Sequence, residues 1–270
     1  MDGSTATSRF VKVMMAVLGL VGLYYLYQYL FGTSSMASTT LIGPKTNAQT
    51  DPAKPIIIPA ANLPGLYEGG ELSISMWIYI QNWNYRTSFN KHILSIGGDT
   101  FDTLRVYLAG NKPQLKIRVH TYTPSQVTTT ISSDNVPSDR LEAATRQGVF
   151  NNMETNSGLL DSTPLCDLPE VDMQKWVQVV ISMNGKTCDV YMDGKLARSC
   201  ILPTFYKVDK GGYNANLLSH GGFGGYISAV NMYSYAMAPD QVYHAYMAGP
   251  APITGLGAYL KSFFEPQSNV

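Results

Sequence analysis

Charge is scarce in this chain. Only 14% of its 270 residues are charged, and 19 basic residues cancel 19 acidic ones. So weak a field does not steer nucleic acid, and no nucleic-acid partner is expected. Cysteine is scarcer still, at three: Cys166, Cys188 and Cys200. An odd, small count does not make the disulfide framework of a secreted domain. The chain contains no Asn-x-Ser/Thr sequon. Both absences favour a domain that does not mature in an oxidising, glycosylating lumen. The four histidines, His92, His120, His220 and His244, are scattered without metal-ligand spacing. No Gly-x-Ser-x-Gly elbow occurs. Gly221-Gly-Phe-Gly-Gly225 lacks the Lys-Ser/Thr of a phosphate loop and reads as a tight turn before a late strand. No cofactor is expected.

What is present is strand pattern. Val177, Val179, Ile181 and Met183 alternate with Gln178, Val180 and Ser182, the period of a half-buried strand. Asn184-Gly185 then turns the chain, Cys188, Val190 and Met192 carry the next strand, and Asp193-Gly194 turns it into Lys195–Ile201. Asn-Gly and Asp-Gly favour hairpin turns because those turns need positive φ. The segment is expected to be a three-stranded meander, with Cys188 and Cys200 on adjacent strands and within reach of a cross-strand disulfide, although reduced thiols are the expectation, because Cys166 would be left unpaired and no sequon suggests lumenal passage. Leu72, Ile74, Met76, Ile78 and Ile80 share one face of an earlier strand. Leu104, Val106 and Leu108, then Leu115, Ile117 and Val119, do the same around a turn at Asn111-Lys-Pro113. Opposite that last set lie Lys116, Arg118 and His120, read as a solvated or partner-facing stripe. Hairpin after hairpin with no long helix means all-β.

The order Trp176, Asn184-Gly185, Asp193-Gly194, Gly225-Tyr-Ile-Ser-Ala-Val-Asn-Met-Tyr233 and Ala236-Met-Ala-Pro-Asp-Gln-Val242 resembles the laminin G-like, or concanavalin A-like lectin, superfamily. Leu72–Tyr79 is similar to that family's early strand. The resemblance covers Leu66 to Ala248. It implies a two-sheet antiparallel jelly roll that binds glycans or proteins, in some members with calcium. One departure is that Ser228 and Ala229 stand where many relatives carry acidic residues.

Outside that region the chain divides into further parts. Residues 1–12 form a polar leader ending in Arg9 and Lys12. Residues 13–31 are apolar except for Gln28, and as a helix they span about 28 Å, one bilayer core. Val13, Leu18, Leu23, Leu30 and Phe31 supply the apolar surface, while Tyr24 and Tyr25 begin an interfacial aromatic belt. A retained single-pass anchor is the expectation, against a cleaved signal peptide with a poor site at Ser35-Met-Ala37. The flanking positive charges place the domain across the membrane. That placement conflicts with the missing sequons. Residues 32–64, with Pro44, Pro52, Pro55 and Pro59, read as an extended linker, Ile56–Ile58 within it as an edge strand. The jelly roll occupies residues 65–248. It carries a polar insertion over 123–174, with a short helical piece within Arg140–Phe150. Pro239 opens a helical turn through Tyr246. In the tail, residues 249–270, Ile253, Leu256, Leu260, Phe263 and Phe264 fall on one helical face suited to a partner, a membrane surface or the domain itself.

Catalysis is not expected. Glu170-Val-Asp-Met-Gln-Lys175 resembles the Glu-x-Asp-x-x-Glu strand of laminarinase-type glucanases, but Lys175 replaces the second acid that retaining hydrolysis needs. Asp99 and Asp102 are weak calcium candidates, since two carboxylates are few for such a site. The expected protein is a non-enzymatic, membrane-anchored structural component. The layout of anchor, linker and jelly roll resembles a membrane-bound minor capsid protein of a large icosahedral DNA virus with an internal membrane. A virion membrane is then the expected location, with other protein chains as partners. The alternative is a membrane-anchored, glycan-binding adhesion protein at a cell surface or endomembrane. A glucanase-like hydrolase is a distant third.

Overall fold

The computed structural model describes residue 12 and residues 14–23, 37–122, 150 and 166–250. Chain contacts divide it into two units at Met36/Ala37. In the first unit, residues 14–23 are helical. Their apolar side chains are exposed, Met15 at 68% and Leu20 at 67% among them. Of the anchor residues, Leu18 and Leu23 belong to this helix, while Val13, Tyr24, Tyr25, Leu30 and Phe31 lie outside the described residues. No helix among the described residues is long and apolar enough to cross a membrane.

The second unit is a sandwich of two antiparallel sheets. Its strands are β1 (Ser38–Ile42), β2 (Thr46–Gln49), β3 (Ile56–Pro59), β4 (Glu71–Ile80), β5 (Lys91–Gly97), β6 (Asp102–Leu108), β7 (Leu115–Val119), β8 (Trp176–Asn184), β9 (Thr187–Met192), β10 (Lys195–Ile201), β11 (Asn214–Leu217) and β12 (Gly222–Tyr233). One sheet runs β1-β12-β4-β8-β9-β10, with β2 also on β12, and the other runs β3-β11-β5-β6-β7. Alternation turns Leu72, Ile74, Met76 and Ile78 of β4 toward Leu94, Leu104, Val106 and Ile117 of the facing sheet, in one buried core. The all-β expectation therefore holds, and so does the meander of β8, β9 and β10.

Several details differ from the sequence reading. Residues 38–59 are not a linker. β1 and β2 pair with β12, and β3 pairs with β11, as expected for the Ile56–Ile58 strand alone. These strands are short and near sheet edges, β1 and β2 mostly polar and β3 with Ile56 and Ile58 packed against the core. Backbone hydrogen bonds hold them, and Leu41, Ile42 and Ala48 bury the few apolar groups they have. The first hairpin turn is Gly185-Lys186, because Asn184 pairs with Thr187. Gly185 carries the positive φ of 59° there. The second is Asp193-Gly194, with φ of 50° and 75°, as a primed turn requires.

The expectation of reduced thiols, with Cys188–Cys200 as the possible bond, is corrected. Cys188 and Cys200 are cross-strand neighbours. Yet Cys200 bonds to Cys166, at a Cα–Cα distance of 5.8 Å, and Cys188 is a buried free thiol. The segment before β8 brings Cys166 to Cys200. Cys188 meanwhile points into the core, where burial, with Asp189 adding to it, pushes its pKa up to about 12.

The Lys116, Arg118 and His120 stripe is not solvated. All three are buried. Arg118 makes a two-pronged ion pair with buried Asp167, whose Oδ1 also accepts from the Ile117 amide at 3.0 Å. His120 stacks on Phe101 with ring centroids 4.5 Å apart. Asp167 belongs to the end of the 123–174 segment, where Leu168 bridges to Leu115. Residues 123–149 and 151–165 of that segment lie outside the described residues, and Phe150 between them is helical. After β12 the helix Pro239–Ala248 packs Val242 against Val180, Tyr191 and Met237. Its Tyr246 stacks on Trp77 at 5.7 Å. Ile253, Leu256, Leu260, Phe263 and Phe264 lie outside the described residues.

Candidate functional site

The five-stranded sheet turns its apolar side chains to the core. Its other face is polar. On β11, Ala215 and Leu217 are fully buried while Asn214 and Asn216 point the other way. Register sets Asn216 beside Ser95 and Asn214 beside Gly97 of β5. Gly97 in turn pairs with Asp102 of β6. His92 lies on the same face of β5, and its cross-strand partner is Tyr107. His92, Ser95, Gly97, Asp102, Asn214 and Asn216, with Gly98, Asp99, Ser219, His220, Phe150, Pro52 and Pro55, line a cleft of about 450 Å³. That volume falls within the range of small-molecule sites, about 300–1,000 Å³.

One wall stands on a strained turn. Leu218 and His220 adopt φ of 53° and 56°, and Gly221 and Gly222 continue the left-handed run. Non-glycine residues rarely occupy that region, and such strain gathers at binding sites. Here it lays His220 flat on Phe150, with centroids 4.9 Å apart and planes 15° apart. Phe150 meets His92 edge-on at 5.1 Å and Tyr107 at 5.5 Å. Arg86 donates to the Phe150 carbonyl at 2.7 Å, and Tyr85 donates to the Gly221 carbonyl at 2.9 Å.

The two imidazoles, 6.1 Å apart, are both depressed in pKa. Burial lowers His92 well below the ordinary range, and His220 and Arg105 lower it further. Burial also leads for His220, followed by Arg86 and Arg105, with Asp102 opposing them. Both rings are therefore neutral at neutral pH. His92 Nδ1 accepts from the Ser219 backbone amide at 3.1 Å, so its proton sits on Nε2. Asp102 accepts from Arg105 Nε and Nη2, each at 2.8 Å. Thr100 donates to Asp209 through its hydroxyl at 2.6 Å and its amide at 3.2 Å, pinning the loop beside the cleft.

Sequence reading found Asp99 and Asp102 but gave them another role. Asp102 is buried and held by Arg105, and Asp99 is exposed on the cleft lining. Among the described residues no group of three or more His, Cys, Asp or Glu is arranged to hold a metal ion. Glu170 and Asp172 are exposed in the loop before β8, where Asp172 pairs with Lys175 at 2.6 Å. His92, Ser95, Asn214, Asn216 and His220 were missed as a group. They fall in two groups more than a hundred residues apart, and only strand pairing unites them.

Fold and cleft together define a two-sheet antiparallel sandwich with a polar, weakly charged cavity on one outer face. No family model matches the chain, and no curated protein does. Several solved structures are similar. The binding domain of botulinum neurotoxin serotype D is 13% identical with a TM-score of 0.48, over 80% of this chain and 47% of that one. The serotype D ligand-binding domain in complex with N-acetylneuraminic acid is 13% identical with a TM-score of 0.46, over 76% and 42%. The type G receptor-binding domain is 11% identical with a TM-score of 0.40, over 66% and 38%. This chain thus spans less than half the length of each.

Proposed function

We propose that the sandwich is a non-catalytic binding module that takes a saccharide in the cleft between β5, β11 and the Leu218–Gly222 turn. The cleft's lining supports this reading. Asn214, Asn216, Ser95, Ser219, His92 and His220 place amide, hydroxyl and neutral imidazole groups around about 450 Å³, beside Phe150, Pro52 and Pro55. A pyranose needs that mixture of donors and acceptors for its hydroxyls and an apolar surface for its C–H face. The polar side chains arise from three separate elements on fixed strands, so the site is preformed.

Binding rather than turnover fits the hydrogen bonding. His92 takes its bond from the Ser219 amide and not from a serine hydroxyl, so no activated Ser–His pair results. Asp102 is ion-paired with Arg105, which holds it as a carboxylate rather than a proton donor. Titration of the purified protein with an oligosaccharide panel is expected to give saturable binding. Asn216→Ala should weaken that binding about tenfold, the loss of one or two hydrogen bonds, with little change in Tm. A panel without any binder would sink the reading.

We further propose that residues 13–31 carry the module at a membrane. The exposed apolar side chains of residues 14–23 support an anchor. The Cys166–Cys200 bond fits an oxidising compartment, where the positive charges at Arg9 and Lys12 would place the domain. The protein then resembles a membrane-anchored glycan-binding protein more than a capsid component, whose likeness remains one of sequence layout.

A further inference from the structure

The three cysteines lie together. Cys166, Cys188 and Cys200 belong to the same buried cluster of the sandwich. Cys200, on β10, is bonded to Cys166, which precedes β8, at a Cα–Cα distance of 5.8 Å. It also stands directly across the ladder from Cys188 of β9, whose thiol is free. Residues opposed in an antiparallel ladder have Cα atoms about 4.5 or 5.5 Å apart, and both values fall inside the range of about 4.4–6.8 Å that a disulfide spans. Cys200 thus has two partners within bonding range and one bond to give. The two bonds differ in what they tie. The Cys166 bond ties β10, the last strand of the seven-stranded sheet, to the segment whose Asp167 and Leu168 hold Arg118 and Leu115 of β7 in the other sheet. A Cys188 bond would tie β10 only to β9, its neighbour in the same sheet.

We propose that this cluster is a disulfide switch, in which Cys188 exchanges with the Cys166–Cys200 bond and frees Cys166. The thiolate sulfur of Cys188 attacks Sγ of Cys200. The Cys188–Cys200 bond forms as the Cys200–Cys166 bond breaks, and Cys166 leaves as a thiolate. Cys188 gives its proton to solvent and Cys166 takes one up. One disulfide and one thiol stand before and after, so the step needs neither oxidant nor reductant. The product has lost the covalent tie between β10 and the segment before β8, which keeps only its ion pair and backbone bonds to β7. The thiolate is the attacking form, and burial, with Asp189 adding to it, keeps that form of Cys188 rare. The exchange is therefore slow, on the scale of minutes to hours.

The test uses full-length protein in detergent, without reductant. Native protein is held with N-ethylmaleimide for hours, unfolded in acid to stop further exchange, digested and mapped by mass spectrometry. The expected result is maleimide on Cys166 together with a Cys188–Cys200 bond, in a fraction that grows with time. Cys188→Ala should lose the Cys166 label altogether, since no thiol remains to attack. Cys166→Ala should form the Cys188–Cys200 bond when produced under the conditions that form the native one. Maleimide on Cys188 alone, with Cys166–Cys200 intact throughout, overturns the proposal, and so does a map without label. The wild-type map alone decides between these outcomes should either variant fail to fold.

Discussion

At the scale of the residue, the cleft histidines link stability to pH. His92 is 2% exposed and faces His220, Phe150 and Arg105. Its pKa is depressed in the fold, while the unfolded chain returns it to about 6.5. Between those two values the unfolded state binds the extra proton, so stability falls as pH falls. The contribution is fully present above about pH 6.5 and is lost progressively below it, by at most about 1.4 kcal/mol per pH unit for one histidine. His220 adds to the trend in the same direction. Urea midpoints measured from pH 7.5 to 5 should therefore decline, and His92→Gln should flatten the decline. An unchanged slope in that variant would show that His92 does not carry it.

At the scale of the element, β12 depends on backbone approach. It pairs with three strands of the seven-stranded sheet, β1 and β2 on one side and β4 on the other. Its first residues have no room for side chains. A Cβ on Gly225 would lie 1.9 Å from the Tyr79 carbonyl oxygen, and one on Gly222 would lie 2.0 Å from that of Ala48. Neither carbonyl can give way without breaking its ladder. Gly225→Ala is expected to destabilise the sandwich by about 4 kcal/mol or more, among the largest single-residue effects. Gly43→Ala is the control. The nearest atom to its added Cβ is 3.9 Å away, so its effect should stay within about 0.5 kcal/mol. Chemical denaturation of the two variants gives the comparison. Equal midpoints would show that β4 and β12 can separate where the contacts say they cannot.

At the scale of the whole molecule, the chain divides at Met36/Ala37, and the core cluster of the second unit lies wholly within the sandwich. The apolar residues 14–23 belong to the first unit. Removal of residues 1–31 should yield a protein that stays in the supernatant after alkaline carbonate extraction, with the sandwich's Tm unchanged. The full chain should stay with the vesicles. Full-length protein found in the carbonate supernatant would end the anchor proposal.

Sequence alone determined the strands whose partners are close along the chain. β8, β9 and β10 announce themselves because a period of two and two glycine turns are local signals. The helix start at Pro239 is equally local, since the ring fixes φ where the first helical residue needs it. Tertiary structure decided everything that required distant segments to meet. Residues 38–59 read as linker because few of their side chains are apolar, and only β11 and β12, more than 150 residues later, supply their backbone partners. Lys116, Arg118 and His120 read as solvated because nothing in the alternation foretells Asp167 or Phe101 closing over them. Cys200 has Cys188 as its register neighbour but bonds to Cys166, whose approach follows from the path of the chain before β8. The cleft belongs to this second kind. Side-chain period states which face of a strand a residue takes, but not which other strand will share that face. His92 and His220 became one site only when β5 and the turn before β12 were brought together.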